Sequence, residues 1–293
     1  MKHISLLLLK LSVFFIFLGR AWQHIFWDAP YRSFFWDESL LKPVVESLFS
    51  ISWQEYATST TTDTVIQKLI LFNGLVYLAA AMATITIRQT LKQWQKLLIT
   101  LGGVSLVILT LLMTKEKFYH AAQFFEHSIQ FGLPFCLLYF YTKKYNPNTL
   151  ILTLKILIAV TFVSHGLYAF GFYPVPGNFV DMVIQIFNCD EETAITFLYI
   201  AGIVDFILAV LLFVPIAAIS KSALYYAVFW GILTAFVRIV ANFQIEFPLL
   251  SLHQYFYMVL YRLGHGLVPL AVVLMPMVTT SNSVLKTELK KVP

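Results

Sequence analysis

The chain has 293 residues, of which 59% are hydrophobic and 12% are charged. A soluble domain carries about 25% charged residues, so an ordinary soluble enzyme is excluded. The net charge of +5 does not point to nucleic acid, because the basic residues gather at the ends of apolar runs, where membrane topology accounts for them.

Apolar runs of about 20 residues, each enough to cross a bilayer, recur along the whole length. The first is expected over about residues 4–27. It opens like a secretory leader, with Lys2, a leucine run and then Gly19-Arg20-Ala21. We read it as a retained span, because the apolar stretch continues past Ala21 and the repeat described below requires the helix. Residues 28–63 form a long segment rich in aromatic and acidic side chains. There Phe34, Phe35, Trp36 and Trp53 suit the headgroup layer, and residues 40–49 read as a short interfacial helix. Further spans are expected at 64–87, 97–113, 118–141, 150–172, 193–219, 223–243 and 255–278, with a second acidic connection at 174–192 and a basic tail. The expected fold is therefore all-α: a polytopic membrane protein of eight transmembrane helices. Cys136 and Cys189 are far apart and form no CxxC pair, so two unpaired thiols are expected.

Loop charges orient the chain. Lys2, Arg88, Lys92, Lys96, Lys143, Lys144, Lys221, Lys286, Lys290 and Lys291 fall on one side, with Glu288 as the accompanying acid. Asp28, Asp37, Glu38, Glu46, Glu55, Asp63, Glu116, Asp181, Asp190, Glu191 and Glu192 fall on the other. The positive-inside rule then places both termini in the cytoplasm and the acidic loops outside.

The two halves look alike. Each has four expected spans and a long acidic connection after the first. Sliding the first span onto the fifth pairs Leu7 with Leu152, Leu9 with Leu154, Lys10 with Lys155, Phe17 with Phe162 and Phe34 with Phe179, and sets Arg20 on His165. The expectation is two parallel four-helix bundles side by side, residues 1–145 and 146–280, related by an axis along the membrane normal, with a cytoplasmic tail at 281–293.

In the second half, Phe162-Val163-Ser164-His165-Gly166 ends a first helix. A loop with Pro174 and Pro176 follows, and then a helix with Asp205 in mid-span. This arrangement resembles the DoxX family of small four-helix membrane proteins. Where that family more often carries Glu, and Lys after the His-Gly pair, this chain has Asp205 and Tyr168. The resemblance implies a bacterial cytoplasmic-membrane protein associated with redox or quinone-linked systems, often beside a catalytic partner protein.

Ionisable groups lie inside the expected spans: Arg20, Glu126, Asp205, Arg238 and Arg262, with histidines beside them. Each such charge costs about 2.5–3.5 kcal/mol at mid-helix on insertion scales, so partners or a wet cavity are expected. Arg20 and His165 come late in outward-going helices, Glu126, Arg262 and His265 early in inward-going ones, and Arg238 and Asn242 late in another. The reading is one polar pocket opening outward, lined by His165, Asp205, Arg238, Asn242, Arg262 and His265 from the second half and by Arg20, Glu126 and His127 from the first. Expected ion pairs are Arg20 with Glu126, and Asp205 with Arg238 or Arg262. The alternative role for each residue is to hold helices together, worth about 0.6 kcal/mol on average.

His120 and His127 are too far apart along one helix to share a metal ion, and no metal site is expected. A quinone is the ligand class considered first. Haem held by His127 and His265 is the alternative. HExxH, P-loop and GxSxG patterns are absent from the sequence, so it supports no hydrolytic or nucleotide-driven reaction, and whether the chain is an enzyme stays open. The competing functions are a quinone- or lipid-binding subunit, a lipid-handling protein or transporter, and a membrane scaffold. The visible breaks at Pro174, Pro176 and Pro248 lie near helix ends, and Gly102-Gly103 has no twin, which argues against transport.

Overall fold

The computed structural model describes residues 2–275. The expected tail at 281–293, with Lys286, Glu288, Lys290 and Lys291, lies outside the described residues. All the regular structure described is helical, in the order α1 (Lys2–Phe26), α2 (Arg32–Phe35), α3 (Glu38–Phe49), α4 (Trp53–Thr58), α5 (Thr60–Ile85), α6 (Gln93–Glu116), α7 (Ala121–Phe125), α8 (Ser128–Phe140), α9 (Pro147–Ala169), α10 (Gly177–Phe187), α11 (Glu191–Leu211), α12 (Ala217–Asn242), α13 (Pro248–Arg262) and α14 (Gly264–Leu274).

Seven helical segments are long and apolar enough to cross a membrane: α1, α5, α6, α9, α11, α12 and the α13–α14 run. The eighth expected span, 118–141, is divided. Phe118 and Tyr119 leave α6 with positive φ angles of 52° and 59°, and the helix then stops at Glu126 and His127 before resuming as α8. The stop falls on the two most polar residues of the run. His127 caps the end it creates, since its Nδ1 lies 2.9 Å from the Gln123 carbonyl oxygen. The last expected span breaks in a similar way at Leu263, where His265 Nδ1 lies 2.8 Å from the Arg262 carbonyl oxygen. Helix ends leave carbonyls without backbone donors, and in both places an imidazole supplies one.

Local caps mark the connections. Asp37, Ser52, Ser59, Asn146 and Asp190 each accept a backbone N–H at a helix start, as such side chains do at N-caps. The expected interfacial helix is present as α3. A second short apolar helix, α10, lies in the connection that was expected only to be acidic.

Helices from residues 1–145 and 146–275 pack directly on one another. α1 packs mainly against α5, α13 and α14, and more lightly against α8. α9 packs mainly against α11 and the α7–α8 pair, and more lightly against α14. Buried Leu9, Val13, Ile16 and Phe17 of α1 share one core with Leu154, Ile158 and Phe162 of α9 and with Val268 and Val272 of α14. Two half-buried lysines close carbonyl ends: Lys10 Nζ donates to the Ile87 carbonyl, and Lys155 Nζ donates to the Leu212 carbonyl at 3.0 Å and to Ser220 at 2.8 Å. A cation there also suits the negative end of a helix.

Outside the spans, Asp37 at the start of α3 pairs with Lys115 at the end of α6. That contact holds the Asp37 carboxyl down at about 2, below its ordinary 3.8. Arg32 joins Asp28 within the connection to Asp63 on α5, so the acidic connection is tied to the helix that follows it.

Candidate functional site

A cavity of about 200 Å³ lies among α9, α10, α11, α12 and the α13–α14 junction. Five of the expected residues line it together: His165, Asp205, Arg238, Arg262 and His265. They arrive from five different elements, α9, α11, α12, α13 and α14, yet all line one space. Asp205 is 4% exposed, Arg238 7% and His265 3%. Phe179, Met182, Val183, Ile186 and Phe187 of α10 form its opposite, apolar wall.

The polar side is incompletely bonded. Asp205 Oδ1, Arg262 Nε and His265 Nε2 are buried and have no hydrogen-bond partner. Buried polar atoms are almost always paired, and each one left bare costs about 1–3 kcal/mol. Their chemistry is readable. His265 Nδ1 faces a carbonyl oxygen at 2.8 Å, so that nitrogen carries the proton and the bare Nε2 is an acceptor. Asp205 Oδ1 accepts as a carboxylate and can donate as a carboxylic acid, and the Trp230 indole is placed to donate to the same carboxyl. Arg262 Nε is a donor. The three bare atoms therefore call for a group that can both donate and accept.

Behind this wall stands the rest of the expected set. His165 Nε2 lies between Arg262 Nη1 at 3.5 Å and Glu126 Oε2 at 3.9 Å, and its ring stacks on His265 with centroids 5.5 Å apart. Glu126 Oε1 accepts from Gln123 at 2.9 Å and lies 3.5 Å from His127 Nδ1. Glu126 and His127 thus adjoin the cavity through His165 and do not line it. Arg20 lies farther off. It donates to Gln130 at 3.1 and 2.6 Å and to Gln23 at 2.7 Å, with its guanidinium 4.0 Å from the centre of the Tyr261 ring.

Three expectations change. Arg20 does not pair with Glu126, because Gln130 and Gln23 meet its N–H groups first. Asp205 pairs with neither Arg238 nor Arg262 within 4 Å among the described ion pairs. Arg238 instead donates to the Thr234 carbonyl of its own helix, while Asp205 faces the cavity. Asn242 turns back onto its own helix, donating to the Arg238 carbonyl at 2.8 Å, and is not among the lining residues.

Sequence reasoning missed the α10 wall and Trp230. The signal for α10 was present. Phe179, Val180, Val183, Ile184 and Phe187 recur at helical spacing inside the acidic connection, the pattern of an apolar stripe. Cys136 and Cys189 are both free. Among the described residues no group of three His, Cys, Asp or Glu side chains is placed to hold a metal ion. Comparison of the chain with protein-family models, with curated proteins and with solved structures finds no match.

Proposed function

We propose that this membrane-embedded helical protein is a binding subunit that holds a lipid-soluble ligand in the second-half cavity, with its polar head on the Asp205–Arg262–His265 side and its apolar part along α10. The observation that carries this reading is the convergence of three bare, buried polar atoms on one cavity with an apolar wall. Intramembrane ionisable groups usually mark function, and a cavity with a few convergent polar groups is the usual form of a small-molecule site. On the DoxX-like reading the ligand class is quinone-linked, the membrane is the bacterial cytoplasmic membrane with both termini inside, and the chain works beside a redox partner protein.

The proposal includes the internal repeat, with α7–α8 serving as the eighth, broken span. Its support is the matched pair Lys10 and Lys155, which the sequence alignment puts together and which each close the carbonyl end beyond the helix packed against their own, α5 for Lys10 and α11 for Lys155. The same alignment sets Ile25 on Phe170. A Cβ on Gly74 of α5 would meet Ile25 at 2.9 Å, and one on Gly202 of α11 would meet Phe170 at 2.8 Å.

Purification in mild detergent, followed by an absorption spectrum and mass analysis of whatever co-purifies, tests the reading. A stoichiometric lipid-soluble molecule is expected with the wild type and should be lost from Arg262→Leu and Asp205→Leu. A well-folded Arg262→Leu that keeps the ligand refutes the site. A second reading, lipid handling or transport, gains from the two broken helices, α7–α8 and α13–α14, because interrupted helices in corresponding positions often surround a transport site. Ligand exchange between protein-containing and empty vesicles separates the two. Fast, protein-dependent exchange supports handling or transport, and a retained ligand supports the binding subunit.

A further inference from the structure

We infer that the cavity takes a single aromatic ring carrying hydroxyl groups, a phenol or hydroquinone rather than an oxidised quinone or a plain acyl lipid; this rests on the binding-site and repeat readings above. The argument comes from the first half, where the corresponding space is already filled. The alignment that pairs Lys10 with Lys155 puts His24 on Ala169, and the pairing of Gly74 with Gly202 puts Asn73 on Ala201 and Tyr77 on Asp205. Ala169, Ala201 and Asp205 all line the cavity.

In the first half those larger counterparts surround Tyr31, which enters from the outer connection. Its hydroxyl oxygen accepts from the Asn73 side-chain amide. Its ring meets His24 edge-on with centroids 5.8 Å apart. Ser105 Oγ completes the group, 2.6 Å from Asn73 Oδ1 and 3.0 Å from the Tyr77 oxygen. In the second half the alignment sets Pro176 at the place of Tyr31, and two alanines at the places of His24 and Asn73. The cavity is therefore the space that a phenol ring and its holders fill in the other half. Its volume of about 200 Å³ suits one substituted ring, since an apolar cavity of roughly 150 Å³ accepts benzene.

The bare atoms choose the oxidation level. His265 Nε2 needs a donor and Arg262 Nε needs an acceptor, while Asp205 Oδ1 can take either role. A hydroxyl does both. A quinone carbonyl only accepts, and would leave the His265 imidazole unpaired in a buried site, which is the expensive outcome.

The test uses the full chain in detergent, freed of lipid and kept anaerobic. The probes are decylhydroquinone, decylbenzoquinone and 4-decylcyclohexanol, read by thermal shift and by Trp230-sensitive fluorescence. Decylhydroquinone should bind at one saturable site, at least about tenfold tighter than either other probe, and Ala201→Phe should abolish its binding. Tyr31→Ala should lower the thermal midpoint, and 4-methylphenol, but not cyclohexanol, should restore it. Equal or tighter binding of decylbenzoquinone or 4-decylcyclohexanol overturns the inference. If no probe binds but wild type releases a native lipid that Ala201→Phe lacks, the ring assignment falls and the binding-subunit reading stands. If no probe binds and no ligand distinguishes wild type from Ala201→Phe, both fall.

Discussion

At Gly231 α12 packs directly on the backbone of α14, and Gly231→Ala is the sharpest test of the architecture around the cavity. A Cβ at this position would stand 2.4 Å from both the carbonyl carbon and the carbonyl oxygen of His265, and 2.8 Å from the Gly266 nitrogen. Carbon contacts settle at about 3.5–4.0 Å, so the helices must part by roughly 1 Å. The obstructing atoms are backbone, and no rotamer change can relieve them. Overpacking of this kind costs about 1–3 kcal/mol, and the upper end applies here. The same shift separates Arg238 on α12 from His265 on α14 and widens the polar side of the cavity. Thermal stability followed by size-exclusion chromatography after heating should show a midpoint lower by about 5 °C or more, with weaker retention of the co-purified ligand. Gly177→Ala is the control, because nothing lies within 4 Å of its added Cβ, and it should behave as wild type. A Gly231→Ala protein with the wild-type midpoint and full ligand would refute the close packing of α12 on α14.

Three further outcomes are expected. Gln130→Leu removes the main acceptor of the buried Arg20 guanidinium and should cost about 3–5 kcal/mol, whereas the Arg20→Met, Gln130→Leu double variant should be milder because no bare charge is left; the heat-stability cycle refutes this if the double is the worse. Lys10→Met should cost about 1–3 kcal/mol by leaving the Ile87 carbonyl bare. Lys155→Met should cost less by the same stability assay, because Ser220 still donates to the Leu212 carbonyl at 2.8 Å. Asp37 has its carboxyl lowered to about 2 by Lys115, so its contribution is fully present above its unfolded value of 3.8 and is lost as pH falls from about 4 to about 2. Limited acid proteolysis of residues 28–59 should accelerate across that window, and the acceleration should vanish in Lys115→Met.

Much of the fold was legible because its main signal is local. An apolar run long enough to span a bilayer declares itself by composition, and α1, α5, α6, α9, α11 and α12 fall close to where hydropathy puts them. The list of intramembrane polar residues was equally legible, since the cost of a charge in hydrocarbon makes each one conspicuous. Five of them do converge on one cavity. The break between α7 and α8 was hidden by overall apolarity: Glu126 and His127 interrupt the helix, but only neighbouring helices can meet the groups that the interruption exposes.

Sequence by itself determined that this is a many-spanning helical chain and which polar side chains lie within its apolar runs. Tertiary structure alone decided which of those side chains share a space. It turned Arg20 toward Gln130 and away from Glu126, left Asp205 facing a cavity instead of an arginine, and brought α10 across as an apolar wall. The physical reason is range. Burial in a bilayer is decided residue by residue along the helix, whereas hydrogen-bond pairing depends on a few tenths of an ångström between helices far apart in the chain, and that distance is set only when the whole bundle has packed.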